Sequence, residues 1–337
     1  MPNYPISRFP DFQIPLSWQP ACTLRSVRRN AAVLAAAVWI ATSCHPAIRS
    51  TQASPPTPGE LAELWRAPER NRDLFWGGGG ERLAPDASAI YKVIDVKQGG
   101  FSMGFTVYGP DDRRWSVKLP PEASTEVVAS RLLWGVGYHQ PPIYYVGRWN
   151  ADGSRDSNPQ LPGRFREAKP DFHGLNADGI WSYYHNPFVG SRELNGLLVL
   201  QVMLCNSDLK DEQNALYKLK QPVEGAARWY VARDLGQSFG RTGVFEPPRG
   251  DVQVFEETPF IKGMAGRFVR FEWRGRHGVL IDHMAADDVQ WICVKLQALT
   301  DRQWQDAFRA GGYPPSIADR FIRRFKQKID EGLAVGR

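Results

Sequence analysis

Strand signals gather in one part of this sequence and helical signals in another. AIYKVIDV (89–96) leads through a glycine-bearing turn, KQGGFSMG, to FTVY (105–108), and the polar turn GPDDRR returns the chain as WSVKLP (115–120). Short runs of this kind bounded by turn residues predict a three-strand antiparallel meander. TEVVASRLLWGVG (125–137) then predicts one helix, opened by Thr125 as N-cap and closed by glycine, and PPIYYVGRW (141–149) predicts another strand. From Ser191 onward the balance reverses. SRELNGLLVLQVML (191–204) reads as a capped apolar helix, ALYKL and ARWYVARDL as short strands around a turn, and 240–263 as a loop-rich segment. Amphipathic helices follow, ending in IADRFIRRFKQKIDEGL (317–333). Strands first and helices later imply an α+β fold: an N-terminal antiparallel sheet lobe with one helix, and a mainly helical C-terminal lobe.

The chain has 337 residues, 42% of them apolar and 12% aromatic, enough for a substantial core in one large domain or two lobes around a cleft. Beyond Cys44 only Cys205 and Cys293 are left, so no disulfide framework supports the fold. Half of the formal charge of +6 lies in the first 44 residues, where Arg8, Arg25, Arg28 and Arg29 face Asp11 alone. The rest is nearly balanced, and composition makes no electrostatic case for nucleic-acid binding.

The leader has its own logic. Arg25, Arg28 and Arg29 precede the apolar run AAVLAAAVWIA (31–41), too short to span a bilayer comfortably but suited to a signal-peptide core. The small residues before Cys44 resemble a bacterial lipoprotein cleavage box, which implies export to the periplasm or cell surface and a lipid anchor on Cys44. The Pro-, Ser-, Thr- and Gly-rich stretch 45–87 reads as a flexible tether. The body then divides into a nucleotide-binding sheet region at 88–150, a polar, Pro-punctuated insertion or connector at 151–190, and a catalytic region at 191–335.

Several residues carry chemistry. Gly99, Gly100 and Gly104 sit in or beside the first strand turn, where glycine lets backbone approach a phosphate closely. Lys118 lies within a strand and would neutralise phosphates, and Glu126 in the following helix would pair with it, with Glu122 a rival for that role. The loop NSDLKDEQN (206–214) holds a carboxylate, Asp208, that could take a hydroxyl proton, a cation, Lys210, and oxygen ligands for Mg2+. Asp234-Leu235-Gly236 follows a strand and could present its carboxylate to a phosphate-bridging metal. The six histidines show no H-E-x-x-H spacing, and no G-x-S-x-G occurs, so neither a zinc hydrolase nor a serine hydrolase has its usual signal.

Taken in order, glycine turn, strand lysine, helix glutamate, D-x-K-x-x-x-N loop and D-x-G resemble the protein-kinase-like superfamily over roughly residues 88 to 330. The resemblance is nearer to atypical bacterial and secreted kinases of the HipA-like or FAM20-like kind. It implies a two-lobed fold with ATP and Mg2+ in the cleft. Gly99, Gly100, Gly104, Lys118 and Glu126 would hold ATP, Asp208 and Lys210 would act in catalysis, and Asn214 and Asp234 would bind the metal. The acceptor would be a protein or a small hydroxylated molecule. The pattern departs from the family in three places, one being that no APE-type motif follows Asp234-Leu235-Gly236. Gln213 stands five residues after Asp208, where the family has asparagine, and Asn214 lies one further on, so either could face the metal. Asn206-Ser207 replaces the usual histidine-arginine pair. A pseudokinase docking module and a kinase-fold AMP transferase are the competing readings.

Overall fold

The computed structural model describes residues 55–337 apart from 98, 153–161, 169–171, 224, 244 and 246. The leader, Cys44 and its lipidation lie outside the described residues. Among the described residues, no helix is long and apolar enough to cross a membrane.

The architecture is α+β, as the order of signals predicts. The meander forms as β1 (Ile90–Lys97), β2 (Gly104–Tyr108) and β3 (Arg114–Lys118), each antiparallel to the next. With β4 (Ile143–Val146), β5 (Asn150–Asp152) and β6 (Gly163–Glu167) it builds a six-stranded sheet in the order β4-β6-β3-β2-β1-β5, in which only the short β5 runs parallel to its neighbour. Tyr91, Phe105, Trp115, Trp149 and Phe165 interlock as an aromatic core on this sheet.

After the short helix α1 (Pro58–Leu61), helix α2 (Glu122–Gly135) starts four residues earlier than expected. Thr125 is therefore not its N-cap. Pro121 occupies that position with no side-chain cap, and the Thr125 hydroxyl instead donates to the Gly236 carbonyl at 2.7 Å. Nearly every residue of α2 is buried, as for a helix walled in on all faces. Val128, Leu132 and Leu133 pack into the core of the helical region, while Val127 meets Ile143 and Ala310.

That helical region contains α3 (Arg192–Leu204), the short α4 (Val252–Glu257) and α5 (Gly278–Ile281), α6 (Ala286–Gln297), α7 (Asp301–Ala310) and α8 (Pro315–Ala334). Ser191 caps α3 by accepting from the Leu194 amide at 3.2 Å, and Cys205, at φ +60°, ends it in the left-handed region. Lys328 of α8, fully buried, donates to the Met203 carbonyl at 2.9 Å and contacts the Cys205 sulfur at 3.5 Å. The end of α3, and with it the start of the following loop, is thus tied to the core. A three-stranded sheet of β7 (Asn176–Gly179), β8 (Ala215–Val223) and β9 (Ala226–Val231) flanks this region.

Two further expectations need correction. The expected insertion at 151–190 is not a surface segment throughout, because GRFRE within it is β6, an inner strand between β4 and β3 with Phe165 in the aromatic core. The described part of the expected tether is folded. Leu64 and Leu74 are fully buried in the main core, the rings of Trp65 and Trp291 meet edge to face at 5.1 Å, and the Tyr144 hydroxyl donates to the Gly80 carbonyl at 2.9 Å. Proline and glycine here serve close turns against the body.

Candidate active site

Three elements far apart in sequence meet at one cleft. β3 ends on Lys118, the loop after α3 carries Asp208 and Lys210, and β9 runs into Asp234; all four side chains line a cavity of about 820 Å3. Gly99 and Gly100 line it from the sheet side, with Gly100 at φ +105°, a conformation open to glycine but strained for side-chain-bearing residues. Gly104 pairs across the ladder with Lys118 and borders an adjoining compartment; a Cβ there would sit 3.1 Å from the Val117 carbonyl oxygen.

Lys118 lies among carboxylates. Its Nζ contacts Asp234 Oδ1, Glu126 Oε2 at 3.3 Å and Glu122 Oε2 at 3.4 Å. Burial alone would lower its pKa, but Glu126, Asp234 and Glu122 prevail and raise it, so Lys118 is a fixed cation. The two rivals therefore share the lysine, with different second partners. Glu122 also pairs with Arg249, whereas Glu126 is held by two arginines of β6: Arg164 Nε at 3.1 Å and Arg166 Nη1 at 3.4 Å. Arg164 and Arg166 alternate with Phe165, so the charged pair faces α2 while the ring faces the sheet core. Sequence reasoning missed both arginines, and the only available signal was the R-F-R alternation.

Glu126 gives a pH prediction. Its burial favours the neutral acid, but Arg164, Lys118 and Arg166 outweigh this and hold the carboxyl down at about 2. In an unfolded chain a glutamate titrates near ~4.3. Its contribution to stability is therefore complete above about pH 5 and is lost as pH falls toward 2. Melting temperature followed from pH 5.5 to 2.5 is expected to fall less steeply in Glu126→Gln than in the parent.

The second cluster surrounds Asp208. Lys210 Nζ donates to its Oδ2 at 2.7 Å, Arg276 Nε approaches Oδ1 at 3.6 Å, and Gln213 Nε2 lies 3.3 Å from Oδ2. The same Gln213 nitrogen donates to Asp234 Oδ2 at 2.7 Å, so one amide spans both carboxylates. Asn214 does not join them. It is buried, and its Nδ2 donates to the Trp181 carbonyl at 3.1 Å. A 3-10 turn, Asp211–Gln213, aims Gln213 at the cleft, and Asn214 leads directly into β8. Ser207 organises the loop: its hydroxyl accepts from the Gly243 amide at 3.0 Å and from Gln237 Nε2 at 3.0 Å. Asp234 sits at φ +56° and opens the turn Leu235–Gln237, which packs on α2 through the Thr125–Gly236 bond.

The arrangement suits a metal-bridged anion. Among the described residues there is no group of three or more His, Cys, Asp or Glu able to hold a metal by themselves. Mg2+ typically needs only one or two protein carboxylates, with phosphates and waters completing its shell. Asp234 and Gln213 fit that need, and Gln213 Oε1 is a buried acceptor with no hydrogen-bond partner.

No family model and no curated protein matches the sequence. Among solved structures, the chain is similar to the Helicobacter pylori proinflammatory kinase CtkA, with a TM-score of 0.44 at 10% identity over 72% of this chain and 96% of that one. It is also similar to the Golgi casein kinase, with a TM-score of 0.35 at 10% identity over 74% and 73% of the two chains. Likenesses this loose assign no role to any residue here.

Proposed function

We propose that this protein is a Mg2+-dependent phosphotransferase that uses ATP and acts on a hydroxyl of a protein or small molecule. The observation that carries the reading is the meeting of Lys118, Asp208, Lys210 and Asp234 in one cleft, with Gln213 bridging the two aspartates. The glycine turn covers the nucleotide and Lys118 binds its phosphates. Asp208 orients the acceptor hydroxyl and takes its proton, while Lys210 offsets negative charge on the group being transferred. Asp234 and Gln213 would hold Mg2+, which when bound would screen the phosphate oxygens. Asn214, expected as a metal ligand, instead holds the loop to the Trp181 carbonyl. On the leader's reading this chemistry takes place outside the cytoplasm, with Cys44 as the lipid attachment point.

A docking module of the same fold is the second reading, favoured by the inward turn of Asn214. The two separate in a turnover assay with γ-labelled ATP over a range of Mg2+ concentrations. Gln213→Ala is expected to raise the Mg2+ concentration for half-maximal turnover about tenfold, in the range seen when groups orienting a metal are lost. Asn214→Ala is expected chiefly to lower the melting temperature. A parent protein with no Mg2+-dependent turnover, hydrolytic or to acceptor, would contradict the enzyme reading.

A further inference from the structure

Beyond Lys118 and Asp234 the cleft opens into an inner compartment of about 280 Å3 between the sheet and the Asp234 turn, and its charge is lopsided. Lys97, Arg166 and Arg233 line it together with Lys118 and the buried Arg164. Against these five cations the lining holds two carboxylates, Glu212 and Asp234, of which Asp234 pairs with Lys118, while Glu126 beside it serves Arg164, Arg166 and Lys118 at once. Arg233 is anchored by neutral groups, its Nε donating to the Gln213 carbonyl and its Nη1 to the Tyr217 hydroxyl, both at 3.1 Å. Among the described residues, neither Arg233 nor Lys97 has a carboxylate within ion-pair distance.

Cations concentrated in a recess with low-dielectric walls attract an anion strongly, and arginine forks match phosphate oxygens. The compartment is a poor slot for a base: no aromatic ring lines it among the described residues, whereas the outer cleft has Phe101 with the Arg249 guanidinium 3.5 Å from its ring centroid. We propose that this inner compartment is an anion subsite that receives the phosphate tail of the nucleotide, through Lys97, Arg166 and Arg233. The assignment to a nucleotide rests on the proposed function; the anion site rests on the charge of the compartment.

The probe is tripolyphosphate, titrated calorimetrically into the full chain with and without Mg-ATP. Tripolyphosphate is expected to bind, to compete with Mg-ATP, and to weaken at least tenfold in Lys97→Ala and in Arg166→Gln. Lys97 is exposed at a strand end, so its variant reports binding even where Arg166→Gln lowers stability. Absence of tripolyphosphate binding, or binding untouched by both substitutions, would overturn the subsite while Mg-ATP binding dependent on Asp234 could still stand. Simultaneous binding of tripolyphosphate and Mg-ATP would overturn the tail assignment. Tripolyphosphate binding that needs Lys97 and Arg166, with no Mg-ATP binding, would instead overturn the nucleotide reading and support the anion site alone.

Discussion

Replacing Asp208 by asparagine is expected to slow transfer to an acceptor hydroxyl by about 10^2- to 10^4-fold, the range a positioned general base contributes. Asparagine keeps the shape of the side chain and an acceptor oxygen for Lys210 and Gln213, which hold Asp208 at 2.7 and 3.3 Å. What it removes is the capacity to take a proton. Mg-ATP affinity should change little, because Lys118 and Asp234 are untouched. Single-turnover transfer read by the mass of the acceptor, beside a binding titration, separates the two effects. Equal losses in binding and transfer would place Asp208 in the metal site instead of at the acceptor.

Glu126→Gln is expected to be the most destabilising isosteric change in the cleft, by about 3 to 5 kcal/mol, the usual cost of removing one partner from a buried ion pair. The glutamate side chain is 3% exposed and is shared by Arg164, Arg166 and Lys118. Glutamine preserves volume, so the loss would report uncompensated charge and not a cavity. The double variant Glu126→Gln/Arg164→Met is expected to recover part of the loss, since it removes one of the stranded cations. Thermal or urea unfolding of the four-member cycle checks this. A single variant as stable as the parent would show that the cluster carries no such charge balance.

What was legible in the sequence depended on local pattern. The meander could be read because its strands are bounded by Gly, Pro and Asp turns, and Lys118, Asp208 and Asp234 stand at element ends in an order that few arrangements share. β6 was not legible. Its five residues, GRFRE, carry three charges in a Pro- and Gly-rich neighbourhood, and only its place between β3 and β4 makes a strand of it. Arg164 and Arg166 were hidden with it. The start of α2 was misplaced because Pro120 and Pro121 suggest a loop, although proline is compatible with the position before a helix, where no amide bond is lost. The Gln213-or-Asn214 question was undecidable from spacing. A turn of three residues followed by a strand sends neighbouring side chains opposite ways, and hydrogen bonds to Asp208, Asp234 and Trp181 decide which faces the cleft. The folding of 55–87 is likewise not legible locally, since burial of Leu64 and Leu74 depends on a partner surface far along the chain.

On the proposed function, β3, the loop after α3 and the turn after β9 together make a metal-dependent nucleotide site. Its most direct test is the shift in melting temperature on adding ATP, with Mg2+ and with EDTA, in the parent and in Asp234→Asn. A saturating ligand at 100 times its Kd stabilises a fold by about 2.7 kcal/mol, a readily measured shift. Mg-ATP is expected to stabilise the parent clearly, ATP in EDTA much less, and neither to stabilise Asp234→Asn to any extent. No Mg-ATP stabilisation of the parent, or equal stabilisation of parent and variant, would contradict the proposed function.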